Sequence, residues 1–520
     1  MPSHGKSLDE RKLRLGAAIA AYLVIAISIA YWIGSQEVFL LYLTIQLGIL
    51  AYVILGAQRR AWVLILLGWS LTGATAFFRL PLSVRDFSVV ASLCAYLVYR
   101  VVSGDTMRQR WRFLDVIVAV NAVYIVFTFV LHPVGLAAFG SETIGARPYF
   151  TIGLALIGYW VIWRLPESLK TVSRIPLFIL AGSAAAASLT AMAYFFPSLP
   201  SRIPYLYAAL NVEAYFSDIT ATRGFAESQI LRYTGLGFFG LTLLTTLFAY
   251  TPSLAILNPF RARFYALAVG AICMFLSGYR NLMAAGCALF GFSVWLDRGL
   301  VRFLLAFAVG GALLLGVAAG QSRLYDLPLS VQRTLSIVPG NWDPLVERDT
   351  EASTEGRFKW WRQVIEDRLI KDWWFGDGFG ASATDVMLAS RAGTGELAFV
   401  TGGLHSGPLT AIRYVGVGGL VLLYVLMISS AVIACRYVRR AKGTLLYPVA
   451  IYVAIQLIWY PINYTLIFGA YDSDLPQIIL LVGLLRLLMR MADEAKLQSS
   501  PSSEQYSPSE SALASQSSYL

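Results

Sequence analysis

Fourteen apolar runs, each closed by charge, proline or glycine, limit what this chain can become. They fall near residues 15–33, 38–57, 61–78, 87–102, 113–131, 149–163, 175–196, 234–251, 264–278, 281–296, 302–319, 408–434, 446–468 and 475–489. A helix that crosses bilayer hydrocarbon needs about 20 mostly apolar residues. Within lipid, backbone polar groups must be satisfied inside their own segment, so helices are the form expected of such runs. The expected fold class is all-α, a polytopic transmembrane helical bundle of about 14 helices. The runs at 149–163 and 264–278 are short, so either is expected to be tilted, broken or partly re-entrant. Composition agrees, with 57% of the 520 residues hydrophobic and only 14% charged, which excludes an ordinary string of soluble domains.

One long stretch departs from the apolar pattern. Between Gly320 and Arg413 the chain turns polar, with Asp326, Arg333, Asp343, Glu347, Arg348, Asp349, Glu351, Glu355 and Arg357 in close succession. From Phe358 to Trp374, Trp361, Val364, Ile365, Leu369 and Trp373 recur at three-to-four spacing while Arg362, Glu366, Asp367 and Lys371 face away. That is the pattern of an amphipathic helix lying in a membrane interface, anchored by tryptophan at both ends.

Cations assign the sides. With the amino terminus taken as cytoplasmic, the inner segments hold 24 Lys and Arg and the short outer loops hold 7. This excess follows the positive-inside rule, from which long translocated loops are exempt. The net charge of +11 is therefore an orientation signal and not a nucleic-acid patch. The expected organisation is a cytoplasmic tail (1–14), transmembrane helices 1 to 11 (15–319), an outer loop with the interfacial helix (320–407), helices 12 to 14 (408–491) and a serine-rich, disordered cytoplasmic tail (492–520). Cys94, Cys273, Cys287 and Cys435 all lie in or at the ends of apolar runs and suggest no disulfide framework. Lys6, Arg11, Lys12 and Arg14 precede the first run with no small-residue cleavage site after it, so that run reads as a retained helix.

Few residues can carry chemistry. Of the three histidines, His4 falls in the amino-terminal tail and His132 precedes Pro133 at a helix end, so both read as bystanders. His405 sits in the outer loop among Gly402, Gly403 and Gly407, where backbone can approach a ligand closely, and an imidazole suits proton transfer at neutral pH. Arg280, in SGYRNL, lies in an outer hairpin too short to hold it far from hydrocarbon. A guanidinium there suits a paired anionic oxygen such as a pyrophosphate, and also suits lipid headgroups. Arg357 beside Gly356 is a second cation, and Arg413, about two turns beyond His405, needs a phosphate or a carboxylate partner. Arg79, Arg147, Arg223 and Arg232 are further outer arginines that would widen an anion site. Walker loops, HExxH, GxSxG and metal-spaced Cys or His pairs are missing from the sequence. The GDG of Gly376 to Gly378 follows a tryptophan-rich helix end and reads as a helix-terminating turn, not a dinucleotide fingerprint.

With these residues in view, positions 260–440 resemble the O-antigen ligase and O-antigen polymerase superfamily of bacterial membrane glycosyltransferases. The resemblance rests on SGYRNLMAAG, then GRFKWWRQVIEDRLIKDWWFGDGFG with Arg357 77 residues after Arg280, then HSGPLTAIRYVGVGGL with His405 48 residues after Arg357. Ser406 stands where many members carry asparagine. The resemblance implies an undecaprenyl-diphosphate-linked glycan donor, a glycan acceptor, and inverting transfer on the periplasmic side of the inner membrane. Neither metal nor cofactor is implied. On that reading Arg280 and Arg357 hold the diphosphate and His405 the attacking hydroxyl, and the outer arginines Arg413, Arg223 and Arg147 read from the sequence are candidates for additional anion contacts. Partners of that reading are membrane lipid and polysaccharide chain-length or export proteins. Within the superfamily the long outer loop favours polymerase over ligase to lipid A core. A lipid-linked oligosaccharide flippase and an export scaffold stand as alternatives from other classes; a flippase leaves the polar loop unexplained and expects related halves.

Overall fold

The structure, a computed structural model, describes residues 16, 19, 23, 26, 60–71, 84–103, 111–135, 141, 143–164, 167–195, 234–251, 253–366, 369–392, 400, 404 and 406–499. The apolar runs at 15–33 and 38–57 fall almost wholly outside the described residues, as do residues 500–520 of the serine-rich tail. Sixteen α-helices are described. They are α1 (Val63–Leu67), α2 (Val84–Ser103), α3 (Phe113–Leu131), α4 (Ala146–Arg164), α5 (Leu169–Val172), α6 (Ile175–Phe195), α7 (Thr234–Tyr250) and α8 (Ala262–Leu276). There follow α9 (Arg280–Arg298), α10 (Leu300–Gly320), α11 (Leu329–Leu335), α12 (Pro344–Glu366), α13 (Ala383–Ala392), α14 (Gly407–Ala441), α15 (Tyr447–Ile462) and α16 (Tyr471–Ser499). The protein is an all-α bundle. Among the described residues five helices are long and apolar enough to cross a membrane: Phe113–Leu131, Leu300–Gly320, Gly407–Ala441, Tyr447–Ile467 and Tyr471–Glu494.

The bundle is built around α15 and α16, whose Val449, Val453, Leu457, Ile478, Leu481, Leu484 and Leu488 are wholly or almost wholly buried. α4 packs along α16, α14 along α15, and α7 bridges α6, α8 and α15. At the periphery, α10 leaves Leu304, Leu305, Phe307, Val309 and Leu313 exposed. A helix apolar on its exposed face is suited to lipid rather than water. α4 is longer than its apolar run because Ala146 to Pro148 add a turn, whereas α8 stays at 15 residues. Of the run at 61–78, the described residues 61–71 form the five-residue α1 before Gly68. There, a Cβ on Gly68 would stand 2.8 Å from Ser88 Oγ and 3.2 Å from the Arg85 Cα, so the chain turns where α2 packs against it.

The two ends of the bundle differ in chemistry. At one, Asp115 and Arg486 form an ion pair at 3.0 Å with both side chains almost fully buried. Tyr159 donates to the same carboxylate, and the Arg486 guanidinium lies 4.4 Å from the Trp163 ring centroid. Arg112 pairs with Asp493 beside them. Arg486, which as a sequence element counts towards the cytoplasmic cations, is thus a core residue. At the other end sit the described residues of the polar segment 321–406, which touch the connections α3–α4, α8–α9 and α15–α16 and the first turns of α14.

That segment is bound to the bundle by backbone. Gly416 has φ 68 and ψ −178, which breaks α14 two turns in and leaves carbonyls and amides without helical partners. The chain after α12 supplies them. Asp377 N–H donates to the Arg413 carbonyl (2.6 Å) and Gly378 N–H to that of Tyr414 (3.1 Å), while Val417 N–H donates to the Trp373 carbonyl (2.8 Å) and Gly418 N–H to that of Trp374 (3.4 Å). Tyr124 Oη closes the set on the Val415 carbonyl at 2.8 Å. The residues after this turn form a two-residue antiparallel sheet between β1 (Thr143–Ile144) and β2 (Ala381–Ser382), tying the segment to the α3–α4 connection.

The interfacial helix expected from Phe358 to Trp374 is displaced in the structure. α12 starts fourteen residues earlier, where Asp343 accepts from Leu345 N–H (2.8 Å) and Pro344 takes the first helical position, a start that suits both residues. It ends at Glu366, so Trp373 and Trp374 lie in the turn. The reason is a pair of carboxylates: Asp372 accepts from Trp374 and Phe375 N–H, and Asp377 from Lys371 and Asp372 N–H. Such side chains offer the backbone partners that compete with helix.

A Cβ at position 416 would lie 2.1 Å from the Trp374 carbonyl oxygen, in a backbone region only glycine occupies comfortably. Gly416→Ala is expected to destabilise the protein by about 3 kcal/mol and to open residues 367–382 to protease. Gly310→Ala, in open surroundings on α10, is the control. Thermal unfolding and limited proteolysis of the detergent-purified variants check this; equal behaviour of the two would contradict it.

Candidate functional site

Arg357 lies in the second half of α12, half-buried, and its guanidinium donates to the Ile467 carbonyl at 3.4 Å. Burial pushes its pKa below the ordinary arginine value, yet a guanidinium stays charged at neutral pH. One turn on, Trp361 Nε1 donates to the Leu404 carbonyl at 3.0 Å. Val364, Ile370 and Leu404 form a small buried cluster against Leu409 and Ile412 of α14. α12 is therefore fixed, through Trp361 and Val364, to Leu404 and to Leu409 and Ile412, which flank position 405, and through Arg357 to Ile467. His405 itself lies outside the described residues, as do Arg223, Arg79 and Arg232.

The start of α14 at Gly407 is backed by the end of α15. Asn463–Ile467 continues α15 as a π-helical stretch, a distortion common at functional sites. A Cβ on Gly407 would stand 2.2 Å from the Tyr464 carbonyl oxygen, so the start of α14 lies directly against that stretch. Tyr464 is 1% exposed, and among the described residues its hydroxyl has no hydrogen-bond partner. Such a group costs free energy unless something occupies it.

Arg280 opens α9, half-buried, directly after the turn at Gly278, where φ is 68. The polar segment grips this turn. Arg333 of α11, 5% exposed, donates to the Gly278 carbonyl and, through Nε, to Asp349 at 2.5 Å. Beside it Thr334 Oγ1 donates to the Phe275 carbonyl at 3.1 Å. Asp349 lies on α12 eight residues before Arg357, about 12 Å along the helix axis. One helix thus joins the turn that carries Arg280 to the segment that flanks position 405.

Arg413 is half-buried in α14, and its Nη2 donates to the Val400 carbonyl at 3.0 Å. It holds chain that leads to position 405. Arg147 is exposed in the first turn of α4 and acts electrostatically on Asp472. Phe379 connects these parts: its ring lies 4.8 Å from Tyr149, 4.6 Å from Tyr414 and 6.1 Å from Tyr471. His132 also lies here, for a Cβ on Gly378 would come within 2.6 Å of its own Cβ.

Sequence reasoning passed over Arg333, Tyr464, Asp472 and Asp474. The two carboxylates are half-buried in the first turn of α16, where Asp474 accepts from Ala470 N–H at 2.8 Å. Their signal was available, since two acids at the mouth of an apolar run are costly and need a reason. Arg333 had none, being one charge among many in a polar stretch. Among the described residues no three His, Cys, Asp or Glu side chains group as metal ligands. Among the described residues the arrangement brings the half-buried Arg357 to Ile467, beside Leu404 and the start of α14, and a fixed cation of that kind is suited to holding an anionic group.

No model of a known protein family matches this chain, and no curated protein matches it in sequence.

Removing one partner of a buried ion pair leaves a charge uncompensated, at a cost of about 3–5 kcal/mol. Arg333→Met is expected to destabilise the protein on that scale, and Arg333→Met with Asp349→Leu by clearly less than the two single changes added. A double-mutant cycle on unfolding free energies measures this coupling; strict additivity would contradict the clamp.

Proposed function

We propose that the protein is an inverting, metal-independent glycosyltransferase of the bacterial inner membrane. In this reading it polymerises, rather than ligates, undecaprenyl-diphosphate-linked oligosaccharide repeat units for O-antigen or exopolysaccharide. Its helices number fourteen, both termini are cytoplasmic, and the polar segment 320–407 is periplasmic. The observation that supports the reading is the attachment of α12 to the chain flanking position 405, through Trp361 to the Leu404 carbonyl and through Val364 to Leu404, Leu409 and Ile412, while Arg357 reaches the Ile467 carbonyl and the Arg280 turn is clamped to the same helix through Arg333 and Asp349.

The chemistry follows from those placements. An acceptor hydroxyl attacks the anomeric carbon of the donor, the bond from that carbon to the diphosphate oxygen breaks, and polyprenyl diphosphate leaves with the electron pair. His405 takes the hydroxyl proton. Arg280 and Arg357 carry the charge that grows on the diphosphate, as fixed cations in a site of low dielectric do well. Arg413 acts by positioning, through the Val400 carbonyl, while Arg147 and Arg223 extend the anion surface. Polysaccharide chain-length and export proteins are the expected neighbours.

His405→Ala, Arg357→Ala and Arg280→Ala are each expected to reduce chain growth by at least about a hundredfold, with protein level and lipid-linked precursor unchanged. Analysis of cell-surface glycan reads this directly. Single repeats that remain attached while long chains vanish mark a polymerase, and loss of all attached glycan marks a ligase. Normal long chains in the His405 variant would contradict the assignment, and movement of donor lipid across liposomes without new glycosidic product would favour a flippase.

A further inference from the structure

A second site lies at the opposite end of the bundle from the polar segment. The chain between α4 and α6 (residues 167–174) and the residues leading into and opening α1 line a half-open cavity of about 640 Å³. Arg60, Lys170 and Arg174 line it, each exposed, with the hydroxyls of Ser168 and Thr171 between them and an apolar floor that includes Leu64 and Phe178. Among the described residues that line it there is no carboxylate. The one acid in the same connection, Glu167, accepts from the Trp62 indole at 2.9 Å and is turned to that use. Among the described residues Arg60, Lys170 and Arg174 form no ion pair.

We propose that this cavity binds the phosphate headgroup of an anionic membrane phospholipid. Three positive side chains from two parts of the chain, 110 residues apart, converge on one concavity, and cations scattered only to orient the protein need no such convergence. The apolar floor supports a lipid over free phosphate. α6 begins at Ile175, directly after Arg174, and runs apolar for 21 residues, so the cations stand where hydrocarbon would begin. A headgroup phosphate there meets the charges and hydroxyls while its glycerol and first acyl carbons cover Leu64 and Phe178. Long basic side chains favour this level of a bilayer, with stems along apolar surface and charges at the headgroups.

The test uses the full-length protein, delipidated in neutral detergent, with thermal unfolding followed by tryptophan fluorescence. Phosphatidylglycerol in mixed micelles is expected to raise the midpoint, whereas phosphatidylcholine and inorganic phosphate at matched phosphate concentration are not. Arg60→Gln, Lys170→Gln and Arg174→Gln should each weaken the apparent affinity about fivefold, and the triple variant on the order of a hundredfold. A control variant neutralises Arg302, Arg439 and Arg440, three exposed cations at the same end but outside the cavity, and should retain wild-type affinity. Because the three cavity side chains are exposed, the single variants stay informative if the triple does not fold. Equal stabilisation by phosphatidylcholine, equal stabilisation by inorganic phosphate, unchanged affinity in all three single variants, or an equal loss in the control would each overturn the proposal.

Discussion

The exchange of backbone hydrogen bonds at Gly416 is the interaction on which the rest depends. A helix broken inside an apolar bundle exposes carbonyls and amides that lipid cannot satisfy, and here another part of the chain satisfies them. Trp373 to Gly378 both donates to and accepts from the open turn of α14. The polar segment is thereby fastened where the bundle would otherwise carry unpaired groups, so docking the segment and completing the helix are one event. From this anchor Phe379 reaches Tyr149, Tyr414 and Tyr471, and the short sheet between β1 and β2 extends the attachment to a second helix connection.

The same logic sets where charge is tolerated. In the bundle, Arg486 is buried with Asp115, Tyr159 and Trp163 as immediate partners, which compensates the desolvation that a lone guanidinium would suffer. In the polar segment Arg333 is likewise buried and likewise taken up, by Asp349 and the Gly278 carbonyl. Arg357 is different: it is half-buried, and among the described residues its one hydrogen bond is a long one to a carbonyl, which leaves donor capacity. Arg333 and Arg486 thus differ from Arg357 in what their nitrogens already hold.

Much of the architecture was legible because apolar length is a strong signal. The runs at 113–131, 302–319, 408–434 and 446–468 return as helices with nearly those bounds. The first half of α12 was not legible, since Pro344 to Gly356 carries no apolar stripe and owes its helix to the Asp343 cap, Pro344 and contacts with α11. Trp373 and Trp374 fit a helical period but fall in the turn, because Asp372 and Asp377 bind the backbone amides first. At the candidate site, arginines and glycines were visible as residue types, while the grouping of Arg357 with Leu404, Gly407 and Ile467 depends on contacts up to 110 residues apart that no local pattern encodes.

The most direct test of the account is hydrogen exchange at the amides that make the exchange of bonds. In the purified protein the amides of Asp377, Gly378 and Val417 are expected to exchange as slowly as those in the interior of α14, although the first two belong to an irregular turn. Exchange of Asp377 and Gly378 at the rate of an open surface loop, with α14 still protected, would show that the polar segment is not held by the broken helix and would remove the frame on which the site is built.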